Sequence, residues 1–86
     1  MNNSVIVTLN NKNGSFIGHV VEETKNFIIL EKVIKLNIER DEYIPPFDIF
    51  HTDRVKFMLN NIEYLTTDIN DEVREKYNKL KQTFYN

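Results

Sequence analysis

Residues 5–38 read VIVTLNNKNGSFIGHVVEETKNFIILEKVIKLNI: three apolar runs separated by two polar turns. In the first run Val5, Val7 and Leu9 alternate with Ile6 and Thr8, so both faces of a strand here are at least partly apolar. Asn10-Asn11-Lys12-Asn13-Gly14 is a turn, because Asn and Gly tolerate positive φ. The second run, residues 15–23, has Gly18 at its middle. A glycine inside a strand marks a bend or a close backbone approach, and in a small barrel such a bend lets one long strand serve two sides. Thr24-Lys25-Asn26 forms the next turn. In the third run, residues 27–38, Ile28, Leu30, Ile34, Leu36 and Ile38 are expected on one buried face, with Glu31, Lys35, Asn37 and Glu39 on the wet one. Lys32 interrupts the apolar series and predicts a bulge near Glu31-Lys32.

Beyond this block the pattern changes. Residues 39–43 are mostly charged, and Pro45 and Pro46 together remove two N–H donors from any ladder. Residues 39–53 are therefore expected to be a long connection, with an extended piece at Asp48-Ile49-Phe50. Long loops in compact domains are commonly functional or interfacial. Tyr43, Ile44, Phe47, Ile49 and Phe50 give this one apolar side chains to pack with. Residues 54–59 and 62–66 flank Asn60-Asn61 and read as a hairpin. Asp68, Asn70, Asp71 and Glu72 then mark a helix start. Ile69, Val73, Tyr77, Leu80 and Phe84 fall on one stripe of a helix over residues 71–84. That stripe is expected to cover an open end or face of the strands, the alternative being a partner or inter-subunit surface.

The order of elements predicts one mainly β domain over residues 1–86. It is a five-stranded, strongly bent, SH3-like barrel, with strands within 4–67 and one C-terminal amphipathic helix within 70–85. A chain of 86 residues hides about 60–65% of its unfolded surface, a modest core unless the chain oligomerises.

Composition narrows the function classes. With 11 Lys and Arg against 13 Asp and Glu, a generic basic nucleic-acid face is not expected, because nonspecific binding rests on phosphate neutralisation. The absence of cysteine removes disulfides, thiolate nucleophiles and Cys-ligated zinc. The N-terminal residues lack a signal-peptide pattern, and no apolar run approaches a membrane span. The expected location is the cytoplasm or a particle assembled inside a cell, with no membrane partner. No nucleophile–base spacing, paired-acid arrangement or Gly-rich phosphate loop stands out, so neither an enzyme nor a cofactor is expected. His51 lies near Asp48 and Asp53, the composition of a metal site, but the loop spacing does not identify ligands and no metal is expected.

The strand order with its turns resembles the Sm and Sm-like (LSm, Hfq-like) family of small RNA-binding β-barrels. The first family motif is matched by residues 5–9, Asn13-Gly14, Phe16-Ile17-Gly18, Glu23-Thr24-Lys25-Asn26-Phe27 and Ile28-Ile29-Leu30-Glu31-Lys32. The second is matched by Phe57-Met58-Leu59-Asn60-Asn61-Ile62. The match covers about three quarters of the chain, in pattern more than in identity.

The resemblance implies a homo-oligomeric ring of five to seven subunits, closed by pairing the fourth strand of one subunit with the fifth of the next. Val55, Phe57, Leu59, Ile62 and Tyr64 lie in those two strands. It also implies that short single-stranded RNA is held near the ring pore by Lys25, Asn26, Phe27, Asn60 and Asn61. An aromatic ring can stack a base and an Asn side chain can read its edge. The bland alternative is that Asn26, Asn60 and Asn61 only make turns and Phe27 is core. Two departures stand against RNA binding. Met58-Leu59 replaces the family's Arg-Gly pair, which removes a bidentate donor. The helix lies at the C-terminal end rather than the N-terminal one. A protein partner contacting residues 44–50 or the C-terminal helix is therefore the competing expectation: a ring-forming barrel that has lost RNA binding.

Overall fold

Alternating apolar residues and turn chemistry set most of the strands where the sequence places them. The structure, a computed structural model, describes residues 4–10, 14–37, 40, 42–44 and 54–85. In chain order the elements are β1 (Ser4–Leu9), β2 (Ser15–Glu23), β3 (Phe27–Asn37), β4 (Glu42–Ile44), β5 (Val55–Met58), β6 (Ile62–Thr66) and helix α1 (Asp71–Phe84). Every pairing is antiparallel. The strand order is β4-β3-β2-β1-β6, with β5 also on β3. β3 has room for both partners along one edge: β5 pairs with residues 27–30 and β4 with residues 35–37.

Three expectations need correction. The described residues form six strands rather than five, because Glu42–Ile44, assigned above to a connection, pairs with the end of β3. The sheet is open, not a closed barrel: among the described residues β5 and β6 do not pair with each other. They are consequently not a hairpin. A 3-10 turn, Leu59–Asn61, sends the chain from β5 on β3 to β6 on β1. Three residues reach roughly 10 Å, so the two ends of the path β5-β3-β2-β1-β6 are drawn close and the sheet must curl. Each of the two strands goes to the neighbour that buries its apolar side chains, and Phe57, Leu59 and Ile62 all reach one shared core. The expected extended piece at Asp48-Ile49-Phe50 lies outside the described residues, as do His51, Asp53 and Ile38.

The bulge expected at Glu31-Lys32 is present and divides β3. Ile17 lies opposite Ile34 and His19 opposite Glu31, so Gly18 alone faces both Lys32 and Val33. Lys32 adopts φ 53°, the left-handed region that costs a side-chain-bearing residue free energy. An added residue reverses the facing of everything after it. The single buried face expected for Ile28, Leu30, Ile34 and Leu36 is therefore split. Ile28, Leu30 and Val33 join Val5, Val7, Phe16 and Phe57 in an inner cluster. Ile34 and Leu36 join Ile17, Ile69 and Tyr77 in an outer one. Gly18 permits the close approach: a Cβ there would stand 2.9 Å from the Glu31 carbonyl oxygen and 3.0 Å from Leu30 Cβ. A second irregularity at Val21 shifts the register of β2 again before its end.

α1 covers the outer cluster. Its stripe of Val73, Tyr77, Leu80 and Phe84, with Ile69 ahead of it, packs on Ile17, Ile34 and Leu36 as the spacing predicts. The Asn70 side chain caps the helix, accepting from the Glu72 N–H at 2.8 Å. Asp71 and Glu72 in the first turn and Lys81 in the last suit the helix dipole. Among the described residues no helix is long and apolar enough to cross a membrane.

Candidate nucleic-acid interface

The turn between β2 and β3 is held by Thr24. Its Oγ1 accepts from the N–H groups of Asn26 and Phe27, each at 3.1 Å, and the Thr24 N–H donates to the Phe27 carbonyl at 2.9 Å. A hydroxyl bonding its own backbone two or three residues on is a common way to close such a turn. The Asn26 side chain is thereby released from turn making, and Lys25 and Asn26 are exposed.

Sequence separates this turn from Leu59–Asn61 by more than thirty residues, yet the fold joins them. Pairing of β5 with the start of β3 places Met58 opposite Phe27. One step further on, the Leu59 N–H donates to the Asn26 carbonyl at 2.9 Å. Asn10, leaving β1, donates through Nδ2 to the Asn60 carbonyl at 3.0 Å. Lys25, Asn26, Phe27, Asn60 and Asn61 are thus brought to one end of the sheet, with both Asn60 and Asn61 exposed.

Phe27 is half-buried, and Lys56 Nζ sits 4.1 Å from its ring centroid, a cation–π contact. A base stacking on that face must displace the ammonium, which is then free to meet a phosphate. Lys56 was not among the residues singled out from sequence. Its place depends on the β3–β5 register, Ile29 opposite Lys56, and no local pattern announces that register. Asn10 was read only as a turn residue. The signal for both lies in which strands pair, not in their composition.

Four of the five proposed interface residues turn toward the inner cluster. Phe57 is buried within it, and Val55, Leu59 and Ile62 pack against it. Tyr64 is 62% exposed. The exposed large apolar side chains of β5 and β6 are Met58, Tyr64 and Leu65. Each of these strands has one paired neighbour among the described residues, β3 for β5 and β1 for β6. Arg54, just before β5, pairs with Glu31 at 3.5 Å, an exposed contact of small energetic weight. Among the described residues no cluster of three or more His, Asp or Glu is arranged to hold a metal.

No protein-family model and no curated protein sequence matches this chain.

Proposed function

We propose that this chain is an Sm-like subunit that closes into a homo-oligomeric ring through β5 and β6, and that the ring holds short single-stranded RNA at the joined turns. One observation carries the reading: the Leu59 N–H to Asn26 carbonyl bond, which sets Lys25, Asn26 and Phe27 beside Asn60 and Asn61. Carboxamide side chains supply donors and acceptors for base edges, Phe27 a stacking surface, and Lys25 and Lys56 phosphate contacts. Repetition around a ring multiplies contacts that are weak singly. Among the described residues β5 and β6 each keep one edge with no strand on it, and this favours assembly, because an unpaired edge strand is a template for another chain.

Fluorescence anisotropy with labelled oligo-U and oligo-A at low salt tests the RNA step, and light scattering on the same sample tests the ring. Binding should weaken about tenfold in Lys56→Glu, and more in Lys25→Glu/Lys56→Glu, since phosphate contacts are lost and repulsion is gained. A monodisperse single subunit at micromolar concentration defeats the ring; a ring that binds neither oligonucleotide defeats the RNA role alone.

A second reading has its own support. Met58 and Leu59 stand where the family carries Arg-Gly, and Met58, Tyr64 and Leu65 are exposed on the same two strands. An assembly that uses those side chains for a protein partner would form the ring yet leave oligonucleotides unbound.

A further inference from the structure

Near the end of α1, Lys81 Nζ lies 2.6 Å from Nε2 of His19 on β2. Packing of α1 on the outer cluster brings the two together. An ammonium only donates, so Nε2 is the acceptor and the ring is neutral. Its proton is then on Nδ1, which donates to Ser4 Oγ at 3.0 Å. Tyr77 meets the same imidazole edge-on, with 5.4 Å between ring centroids.

These three side chains stand as nucleophile, base and orienting group. A weak nucleophile is activated when a base lies within hydrogen-bond reach and a third group fixes that base. The Lys81 amine is the nucleophile, Nε2 holds the lone pair that can take its proton, and Ser4 fixes the tautomer that leaves Nε2 bare. Burial first, and the Lys81 charge after it, hold the His19 pKa below its ordinary 6.5, with Glu31 opposing both in part. The base is therefore unprotonated at neutral pH and above. Both His19 and Lys81 line an open pocket of about 310 Å³, a volume that admits a small molecule. The pocket shares no residue with the joined turns. Among the described residues His19 is the only histidine. Lys79, exposed on the same helix, is an internal reference for an ordinary lysine.

We propose that Lys81 is an acylation site, its amine taking the acyl group of a small thioester with His19 as the base. The attacking form is the free amine. Its lone pair forms the new N–C bond at the thioester carbonyl, whose π electrons move to oxygen. Nε2 removes one proton from the nitrogen. The electrons on oxygen return, the C–S bond breaks, and sulfur leaves with the bond pair. The imidazolium passes its proton to that sulfur, so the products are an amide and a thiol and His19 is neutral again. A thioester is the donor class that fits, because its sulfur leaves readily and the one base present serves both proton transfers. The amide N–H can still donate to Nε2, but Lys81 loses its charge in the last turn of α1, where a cation suits the helix dipole.

The test incubates the full chain at pH 8 with the acetyl thioester of N-acetylcysteamine, an uncharged donor, and follows each lysine by peptide mass spectrometry. Lys81 should be acetylated about tenfold faster than Lys79, below the usual contribution of a general base because the amine is half-buried. His19→Gln keeps an acceptor for Lys81 but no base, and should bring Lys81 to the Lys79 rate. Circular dichroism checks its fold. Ser4→Ala keeps the imidazole but releases its tautomer, should lose part of the preference, and serves if the glutamine variant is not folded. A preference for Lys81 that disappears with His19 supports the proposal. Equal rates for Lys81 and Lys79 in the wild type overturn it, and so does a preference that survives intact in the folded variant.

Discussion

The two faces of the curled sheet solve different problems. Among the described residues the inner face is sealed by strands and the turn between β5 and β6: Val5, Val7, Phe16, Ile28, Leu30, Val33 and Phe57 meet there, with Leu59 packed against them. The outer face is sealed by a helix and carries the polar contacts. Tyr77 donates to the Lys32 carbonyl at 2.8 Å, and the Tyr85 hydroxyl donates to the Val33 carbonyl. Both acceptors sit in the bulge, between the part of β3 that β5 pairs and the part that β4 pairs. At the extra residue that turns Ile34 and Leu36 outward, Lys32 and Val33 have no place in the described strand registers. A carbonyl left unpaired away from water is costly, and two tyrosines of the C-terminal segment satisfy a pair of them. A single irregularity in one strand thus creates both the outer core and the need for the helix that covers it.

The largest test of this comparison removes side-chain volume from each face in turn. Leu30→Ala on the inner face and Ile34→Ala on the outer one, both wholly buried, should each cost about 3 kcal/mol in urea unfolding. A cost below about 1 kcal/mol for Ile34→Ala alone would mean that the helix-covered face is an accessory rather than a second core. A smaller effect is expected from Tyr77→Phe, which keeps the ring and deletes the hydroxyl that donates to the bulge. It should lose about 1–2 kcal/mol. An unchanged midpoint would show that water serves that carbonyl equally well, and the link between bulge and helix would dissolve.

The smallest expected effect is a pH slope confined to the outer face. Burial lowers the His19 pKa from its ordinary 6.5, the Lys81 charge lowers it further, and Glu31 partly opposes both. Between the depressed folded value and 6.5 the unfolded chain binds more protons than the folded one. Stability should therefore be fully present above pH 6.5 and decline as the pH falls through it. Urea midpoints from pH 7.5 to 5.5 measure this, and His19→Gln should flatten the His19 part of the slope. A wild-type slope that His19→Gln leaves intact would assign the effect to other groups.

Much of the fold was legible locally. Alternation placed β1, β2, β3, β5 and β6 to within a residue or two, and the spacing of Ile69, Val73, Tyr77, Leu80 and Phe84 identified α1 and its buried stripe. Lys32, a charge amid an apolar series, announced the bulge. What the bulge does to facing was not carried through: one extra residue exchanges the sides of a strand, so Ile34 and Leu36 left the core shared by Ile28 and Leu30. β4 was missed because three residues beside a charged stretch carry little periodicity, and it exists through its pairing with Lys35, Leu36 and Asn37. The five RNA-contact candidates were named from the motif resemblance. Their meeting at one end of the sheet required the β3–β5 register, which also brought in Lys56.

Side-chain period, turn chemistry and capping act over a few residues, so the chain alone determined where its longer strands and its helix begin, which residues are apolar enough to be buried, and where regular pairing must break. Which strand each of β5 and β6 adopts as a neighbour, which face receives the helix, and that His19 and Lys81 stand in contact across 62 residues were decided only in three dimensions. Those choices depend on which apolar surfaces and unpaired carbonyls find partners once the whole sheet has curled, and no short window of sequence contains that balance.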